Sequence, residues 1–202
     1  MSPITRPPGA GGKLTTYRVM AEDAVDFALG QSLAKVRPSV TADLPLLGGD
    51  GYQAAVNQAQ RLGARHGIDS ARLHHLLRRY GSELPQLFAD IDADPSLGEP
   101  LAAAPQFLRA EVHRACTVEG ALHLEDIFVA RVRLNSEARD RGESAIDEVA
   151  EIAAAALGWD EARTEREKDN YRQRIAAELA AEEQPTDAAA SAARMVAPDI
   201  VD

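Results

Sequence analysis

Apolar residues recur every three or four positions along most of this chain, and this spacing predicts a series of amphipathic helices. The most regular stripe lies in residues 146–157, with Gly158 as its stop signal. Similar stripes predict three further helices, over 53–65, along the stripe from Ile68 to Tyr80, and over about 84–91. The cap candidates Asp69 and Ser70 stand at the start of the second of these. Because the stripes are consecutive and joined by short breakers, the sequence predicts an all-α fold, a helical bundle.

Two less regular segments lie in the middle of the chain. Pro105 suits the first turn of a helix, and Phe107 and Val112 lie on the predicted core face of that helix. A second apolar stripe predicts another helix over about 124–134. Both segments extend the predicted bundle.

A long charged helix is predicted to begin at about Asp160. Its predicted anchor row is Tyr171, Ile175 and Leu179, which are spaced four apart. The charged run 161–169 is predicted to be a solvated face that carries ion pairs between neighbouring turns.

Composition divides the chain into five stretches. Residues 1–10 contain three prolines and are predicted to be a disordered N-terminus, while 11–37 hold a glycine motif and a lone helix. A linker is predicted at 38–51, where prolines and glycines concentrate, and the helical domain at 52–182. Residues 183–202 are alanine-rich and polar with no apolar stripe, which predicts a disordered tail.

Charge and cysteine content narrow the function classes. The formal net charge of −10 repels nucleic acid and anionic lipid, so no nucleic-acid partner is predicted. The single cysteine, Cys116, excludes an intramolecular disulfide and fits a reducing cytosol. The N-terminus lacks an apolar signal core, and no run approaches the roughly 20 apolar residues of a membrane span. These features predict a cytoplasmic protein.

Histidine and cysteine side chains provide few further candidates. His113 and Cys116 are three apart, and His123 follows, but a structural zinc site needs four ligands with a paired spacing that is absent here. No metal site is predicted, and Cys116 is predicted to be a small buried thiol rather than a nucleophile. His74 and His75 cannot face the same side of a helix, so they are predicted to be partly exposed rather than catalytic.

One segment carries candidate chemistry, the run Gly-Gly-Lys-Leu-Thr-Thr-Tyr-Arg that begins at Gly11. Gly11 and Gly12 let the backbone approach a ligand closely. Thr15 and Thr16 can cap a helix whose first N–H groups and positive dipole end face an electron-rich group. Leu14 departs from both the Walker and the dinucleotide-binding patterns. The run therefore predicts an anion or cofactor cradle of another kind.

Together with downstream segments, this run resembles the C-terminal part of flavin-dependent (respiratory) glycerol-3-phosphate dehydrogenases and the related glycerophosphate oxidases. The likeness extends from about residue 11 to about residue 180. The downstream segments that carry it are 76–83, 107–112, 119–127 and 157–159. The resemblance implies a C-terminal cap domain of glycerol-3-phosphate dehydrogenase type, preceded by a lone helix that belongs to the flavin domain.

The resemblance also implies the activity and the site. The complete enzyme is expected to be an FAD-dependent oxidoreductase that converts sn-glycerol 3-phosphate to dihydroxyacetone phosphate and passes electrons to quinone. The residues implied at the flavin are Gly12, Lys13, Leu14, Thr15 and Thr16. Lys13 is implied to lie nearest the substrate and is the candidate catalytic residue. A peripheral position at the inner membrane face is implied for the complete enzyme.

The same likeness shows what differs from the family. The N-terminal dinucleotide fold has no counterpart in these 202 residues, so we expect this chain alone to be inactive and to bind no FAD. Residues 1–10 stand where the family has an apolar strand, and residues 130–133 read Ala-Arg-Val-Arg where it commonly has Arg-Arg-Thr-Arg. A truncated gene product, a split subunit and a dissected domain all fit these departures.

Two function classes follow from the sequence. The first is the C-terminal part of the flavin enzyme, with a separate flavin-domain chain or a second copy of this chain as its partner. The second is a non-catalytic helical module for interaction or oligomerisation.

Overall fold

The computed structural model describes residues 14–30 and 38–198. The chain divides into two units, one ending at Asp50 and the other beginning at Gly51. The first unit contains a 3₁₀ turn, Leu14–Thr16, followed by helix α1, Tyr17–Leu29. The predicted disorder of residues 1–10 falls outside the described residues.

The second unit is helical. Its helices are α2 (Tyr52–Arg65), α3 (Ser70–Tyr80), α4 (Leu84–Ala93), α5 (Arg109–Thr117), α6 (Leu134–Glu137), α7 (Ile146–Leu157), α8 (Glu161–Glu182) and α9 (Asp187–Arg194). A π-helical turn, Asp126–Arg131, precedes α6. The described residues form no strand, only an isolated bridge between Pro100 and Leu108. The predicted all-α fold is confirmed, and no described helix is long and apolar enough to span a membrane.

Helix α5 contributes to two apolar cores. Ala110 belongs to the smaller core, which is built mainly from α2, α3 and α4. Val112 and Ala115 belong to the larger core, which includes α7 and α8. In that larger core, the rings of Phe128 and Tyr171 stack with centroids 4.3 Å apart. The burial of α5 on both sides makes it the central element of the second unit.

The predicted helix boundaries are confirmed where the sequence carries a cap or a stop. Asp69 accepts a hydrogen bond from the backbone N–H of Arg72 at 2.9 Å, and this bond lowers the pKa of the Asp69 carboxyl. Asp160 caps α8 in the same way, through Arg163 N at 2.7 Å. Gly158 ends α7 in the left-handed conformation, at φ 70°.

Helix α5 is shorter than predicted. It begins at Arg109, four residues after Pro105, because the preceding chain turns and pairs with itself. The N–H of Leu101 donates to the carbonyl of Phe107 at 2.9 Å, and that of Arg109 donates to Glu99 at 3.0 Å. Phe107 is buried, as predicted, but from this turn rather than from the helix.

The predicted helix over 124–134 is also interrupted. A π-type bond from the N–H of Val132 to the carbonyl of Ile127, 2.7 Å long, closes a widened turn. Arg133 then adopts a left-handed backbone with φ 67°, and α6 begins at the next residue. The apolar stripe does not reveal this break, because the widened turn keeps Ile127 and Phe128 buried.

Two predictions on α8 are wrong. Leu179 is 48% exposed and is not an anchor, and the neighbouring Ala177 and Ala181 are buried instead. Glu167, predicted on the solvated face, is only 4% exposed. Its carboxylate accepts a hydrogen bond from Leu124 N at 3.1 Å. The backbone N–H of Leu124 offsets the burial of the Glu167 charge.

The structure also differs from the predicted disordered tail, since helix α9 lies within it. Thr186 caps this helix by accepting a hydrogen bond from Ala189 N at 3.3 Å. Alanine has the highest helix propensity, and five of the eight α9 residues are alanine. No residue of α9 is buried.

Candidate functional site

The described part of the predicted flavin-binding segment is the start of α1. Leu14–Thr16 forms the 3₁₀ turn, so the segment does lead into a helix N-terminus. Thr16 occupies the N-cap position but makes no side-chain capping hydrogen bond, so the prediction that it caps the helix is wrong; its hydroxyl lies 3.7 Å from Met20 Sδ. Gly12 and Lys13 lie outside the described residues. The assignment of these residues to a flavin stays a prediction.

The side chain of Arg18 joins helix α1 to later residues of its own unit. The Arg18 guanidinium donates to the carbonyl of Thr41 and, at 2.7 Å, to that of Leu44. None of the residues of α1 is buried. Its exposed large apolar residues are Tyr17, Val19, Met20, Val25, Phe27 and Leu29.

In the second unit, four arginines surround a pair of adjoining cavities, which we call the arginine cleft. Arg78 and Arg79 come from the end of α3, and Arg131 and Arg133 come from the π-helical turn and the residues after it. Arg78, Arg79 and Arg133 line both cavities, which measure about 290 and 390 Å³. The other lining residues are Tyr80, Glu119 and Arg131 in the first cavity, and Ala71, His74, His75 and Glu137 in the second.

Arg79 is fixed in position by several acceptors. Its Nη2 donates to the carbonyls of Arg131 and Val132, at 2.6 and 2.7 Å. Its Nη1 lies 3.4 Å from Glu137 Oε1. The guanidinium also lies over the Phe107 ring, 5.6 Å from the centroid. Arg79 therefore joins α3 to carbonyls at the end of the π-helical turn.

A buried carboxylate lies behind Arg79. Glu111 of α5 is fully buried, and its Oε2 is 3.5 Å from Arg79 Nε and 3.1 Å from His75 Nε2. Its Oε1 accepts the N–H of Leu108 at 2.9 Å. The Tyr80 hydroxyl lies 3.5 Å from Oε2, and burial together with this carboxylate raises the pKa of Tyr80. Glu111 thus neutralises and orients the groups on one wall of the cleft.

The opposite wall of the cleft contains Arg131 and Arg133, and the backbone is strained at Arg133. The Arg131 Nε donates to the carbonyl of Glu119 at 2.8 Å. Burial raises the pKa of the Glu119 carboxyl, against the opposing effect of nearby arginines. Arg133 holds its left-handed backbone because its carbonyl accepts the N–H groups of Ser136 and Glu137, at 3.1 and 3.2 Å. A non-glycine residue in this region costs roughly 1–2 kcal/mol.

Two arginines of the cleft keep their donors available. The side chains of Arg78 and Arg133 are exposed. Within residues 14–30 and 38–198, neither guanidinium has a hydrogen-bond or ion-pair partner. The cleft therefore presents unpaired cations beside an Arg79 that is already satisfied.

Sequence reasoning singled out the parts of this cleft without placing them together. Segments 76–83, 107–112, 119–127 and 130–133 each contribute to its lining or to the buried contacts behind it. No basic stripe is visible in the sequence, because two arginine pairs lie about fifty residues apart and only the fold brings them together. The single available signal was the density of arginine in 78–79 and 131–133.

The histidines and the cysteine considered in the sequence have different surroundings in the structure. His123 Nδ1 lies 2.8 Å from Glu167 Oε1, while His74 is exposed and His75 partly buried. Among the described residues, no three His, Cys, Asp or Glu side chains are placed to hold a metal ion. Cys116 is buried as predicted, and burial raises the pKa of its thiol to about 11.

Comparison with known proteins gives consistent matches. The family model for the C-terminal domain of alpha-glycerophosphate oxidase matches residues 39–164. Glycerol-3-phosphate dehydrogenase 2 of Mycobacterium tuberculosis is 47% identical over 190 residues, which are 94% of this chain and 32% of the relative. Glycerol-3-phosphate dehydrogenase of Mycobacterium leprae is 43% identical over the same coverage.

A more distant relative matches in the same way. The mitochondrial glycerol-3-phosphate dehydrogenase of Arabidopsis thaliana is 34% identical over 170 residues, which are 78% of this chain and 27% of the relative. The chain spans about a third of the length of the curated relatives it matches. No solved structure matches the chain significantly.

Proposed function

This chain belongs to the family of the C-terminal domain of alpha-glycerophosphate oxidase, and from that premise we propose that it is the C-terminal region of an FAD-dependent glycerol-3-phosphate dehydrogenase. In the complete enzyme, sn-glycerol 3-phosphate would be oxidised at C2 to dihydroxyacetone phosphate. FAD would accept the hydride and pass the electrons to quinone. The observation that carries this proposal is the 47% identity over 94% of the chain to a relative named for that activity.

Helix α1 supports a flavin-domain partner. Most of the stability of a helix this short comes from packing its apolar face, yet no residue of α1 is buried. Its exposed residues include Val25, Phe27 and Leu29. We infer that a flavin domain covers α1, supplied by the same polypeptide or by a separate chain.

The flavin contacts are proposed at the start of this helix. Gly12, Lys13, Leu14, Thr15 and Thr16 would lie along the flavin. Support comes from the 3₁₀ turn Leu14–Thr16, which leads directly into α1 and so lies at the positive end of the helix dipole. Lys13 would place an ammonium group beside the substrate, where it would attract the negatively charged phosphate of glycerol 3-phosphate.

A chimera tests both parts of the proposal. The flavin domain of the Mycobacterium tuberculosis relative is joined ahead of Gly11, and glycerol-3-phosphate-dependent dye reduction is measured together with flavin absorbance. We expect a flavin-loaded protein that oxidises glycerol 3-phosphate. Lys13→Met should lower kcat/KM on the order of 10²-fold with bound flavin unchanged, because it removes a charge that acts in the transition state.

Lys168→Met provides the matched control. Lys168 pairs with Asp147 and Glu165 on α7 and α8, at 3.3 and 2.8 Å, so its loss should leave kcat/KM unchanged. Full turnover in the Lys13→Met chimera would remove Lys13 from the active site. A flavin-loaded chimera with no glycerol 3-phosphate oxidation would contradict the enzyme proposal and favour a non-catalytic helical module.

A further inference from the structure

The arginine cleft lies entirely within the second unit, and the proposed flavin chemistry does not use it. We propose that it is a binding site for a small phosphate-type oxyanion, either inorganic phosphate or the phosphate of a monoester. Arg78 and Arg133 would hold the anion, with Arg79 and Arg131 as the fixed wall behind it. The proposal rests on the charge, the geometry and the size of the cleft.

The available donors match an oxyanion. A guanidinium presents a planar fork of N–H donors that pairs with two oxygens of a phosphate. Arg78 and Arg133 approach the same cavities from two separate elements, and neither has an acceptor among the described residues. One anion between them would accept hydrogen bonds from both guanidinium groups, whereas a single surface arginine offers only one.

The cleft is held in shape before any anion arrives. Arg79 is fixed by two carbonyls, so it keeps the end of the π-helical turn against α3. Arg133, which lines both cavities, has a left-handed backbone that costs energy. Hydrogen bonds to its carbonyl hold this conformation. Strained positions of this kind concentrate where a side chain must be aimed. A preformed site loses less freedom on binding.

Size and charge favour a small anion over a polymer. Cavities of about 290 and 390 Å³ lie near the lower end of the range for small-molecule sites. Glu119 and Glu137 reduce the formal charge of the four lining arginines to +2. The net charge of −10 on the chain opposes binding of nucleic acid and of anionic membranes, which extend beyond the cleft.

Phosphate titrations of the whole chain test this site. Calorimetry at low ionic strength with inorganic phosphate, and separately with methyl phosphate, should give saturable binding to one site. The double variant Arg78→Ala/Arg133→Ala should weaken binding at least tenfold, because two charge-assisted contacts are lost. Arg78→Lys/Arg133→Lys keeps the charge without the forks and should also bind less tightly.

Arg166→Ala is the matched control, since Arg166 is an exposed arginine of α8 outside the cleft. It should leave phosphate affinity within twofold, and circular dichroism should show that every variant stays helical. Tighter binding of methyl phosphate than of inorganic phosphate identifies a monoester as the ligand class, and the reverse identifies free phosphate. The absence of saturable binding by the parent chain, or equal binding by the double alanine variant, would overturn the proposal.

Discussion

At the scale of single residues, the carboxylate of Glu111 is closely constrained by its surroundings. It is fully buried, yet it has four polar neighbours: Leu108 N at the start of its own helix, and His75, Arg79 and Tyr80 on α3. A buried charge is tolerated only when such partners replace its water. Glu111 therefore couples the position of Arg79 in the arginine cleft to the packing of α5.

Truncation of Glu111 tests this coupling. Glu111→Ala removes the carboxylate, so Arg79 loses its buried counter-charge and the N–H of Leu108 loses its acceptor. We therefore expect a loss of about 3 kcal/mol in the free energy of unfolding. For a unit of this size, that loss lowers Tm by roughly 6–12 °C. Urea denaturation followed by circular dichroism measures it.

Glu151→Ala removes the same charge from an exposed position on α7 and serves as the comparison. It should change stability by less than about 0.5 kcal/mol. Equal stability of the Glu111→Ala and Glu151→Ala proteins would mean that the buried carboxylate contributes nothing net to the fold.

At the scale of elements, the loop that contains Gly142 packs closely against Phe128 of the π-helical turn. Gly142 has φ +81°, and a Cβ placed there would lie 2.7 Å from two atoms of the Phe128 ring. The Phe128 ring is restrained, because it stacks on the Tyr171 ring with centroids 4.3 Å apart. The close approach of this loop to the turn therefore requires glycine for space as well as for conformation.

Gly142→Ala should accordingly cost more than backbone strain alone. Gly120 has a similar φ of +70° with nothing within 4 Å of an added Cβ, so Gly120→Ala isolates the conformational cost, about 1 kcal/mol. Overpacking against Phe128 should add roughly 1–3 kcal/mol in Gly142→Ala. Thermal unfolding of the two proteins gives the comparison. If both lose the same stability, the contact with Phe128 carries no cost.

The sequence predicted elements well where local signals act alone. Asp69, Asp160 and Gly158 fix helix ends through hydrogen bonds within a few residues, so these boundaries could be found without the fold. The break before α6 could not be found in this way. The carbonyls of Arg131 and Val132 accept hydrogen bonds from Arg79, which lies about fifty residues earlier in the chain. Glu167 is buried for a similarly distant reason, its contact with Leu124. The arginine cleft is another product of such long-range contacts.

At the scale of the whole molecule, the two units differ in what they bury. The second unit contains two apolar cores that share α5, so it has the interior that an independently folding domain needs. In the first unit, α1 buries none of its residues. We therefore expect the chain to fold through its second unit, whether or not a flavin domain is present.

The last prediction concerns cofactor binding by this chain alone. Described residues 14–30 and 38–198 form no sheet, whereas the FAD adenine and pyrophosphate need a dinucleotide-binding fold to hold them. The start of α1 can contribute roughly 0.3–2 kcal/mol through its dipole. Even a millimolar Kd requires about 4 kcal/mol. Purified protein should therefore be helical and colourless, and equilibrium dialysis against micromolar FAD should leave no flavin on it. The chimera with a flavin domain is the positive control, and a stoichiometric flavin on the unfused chain would show that these residues build a complete cofactor site.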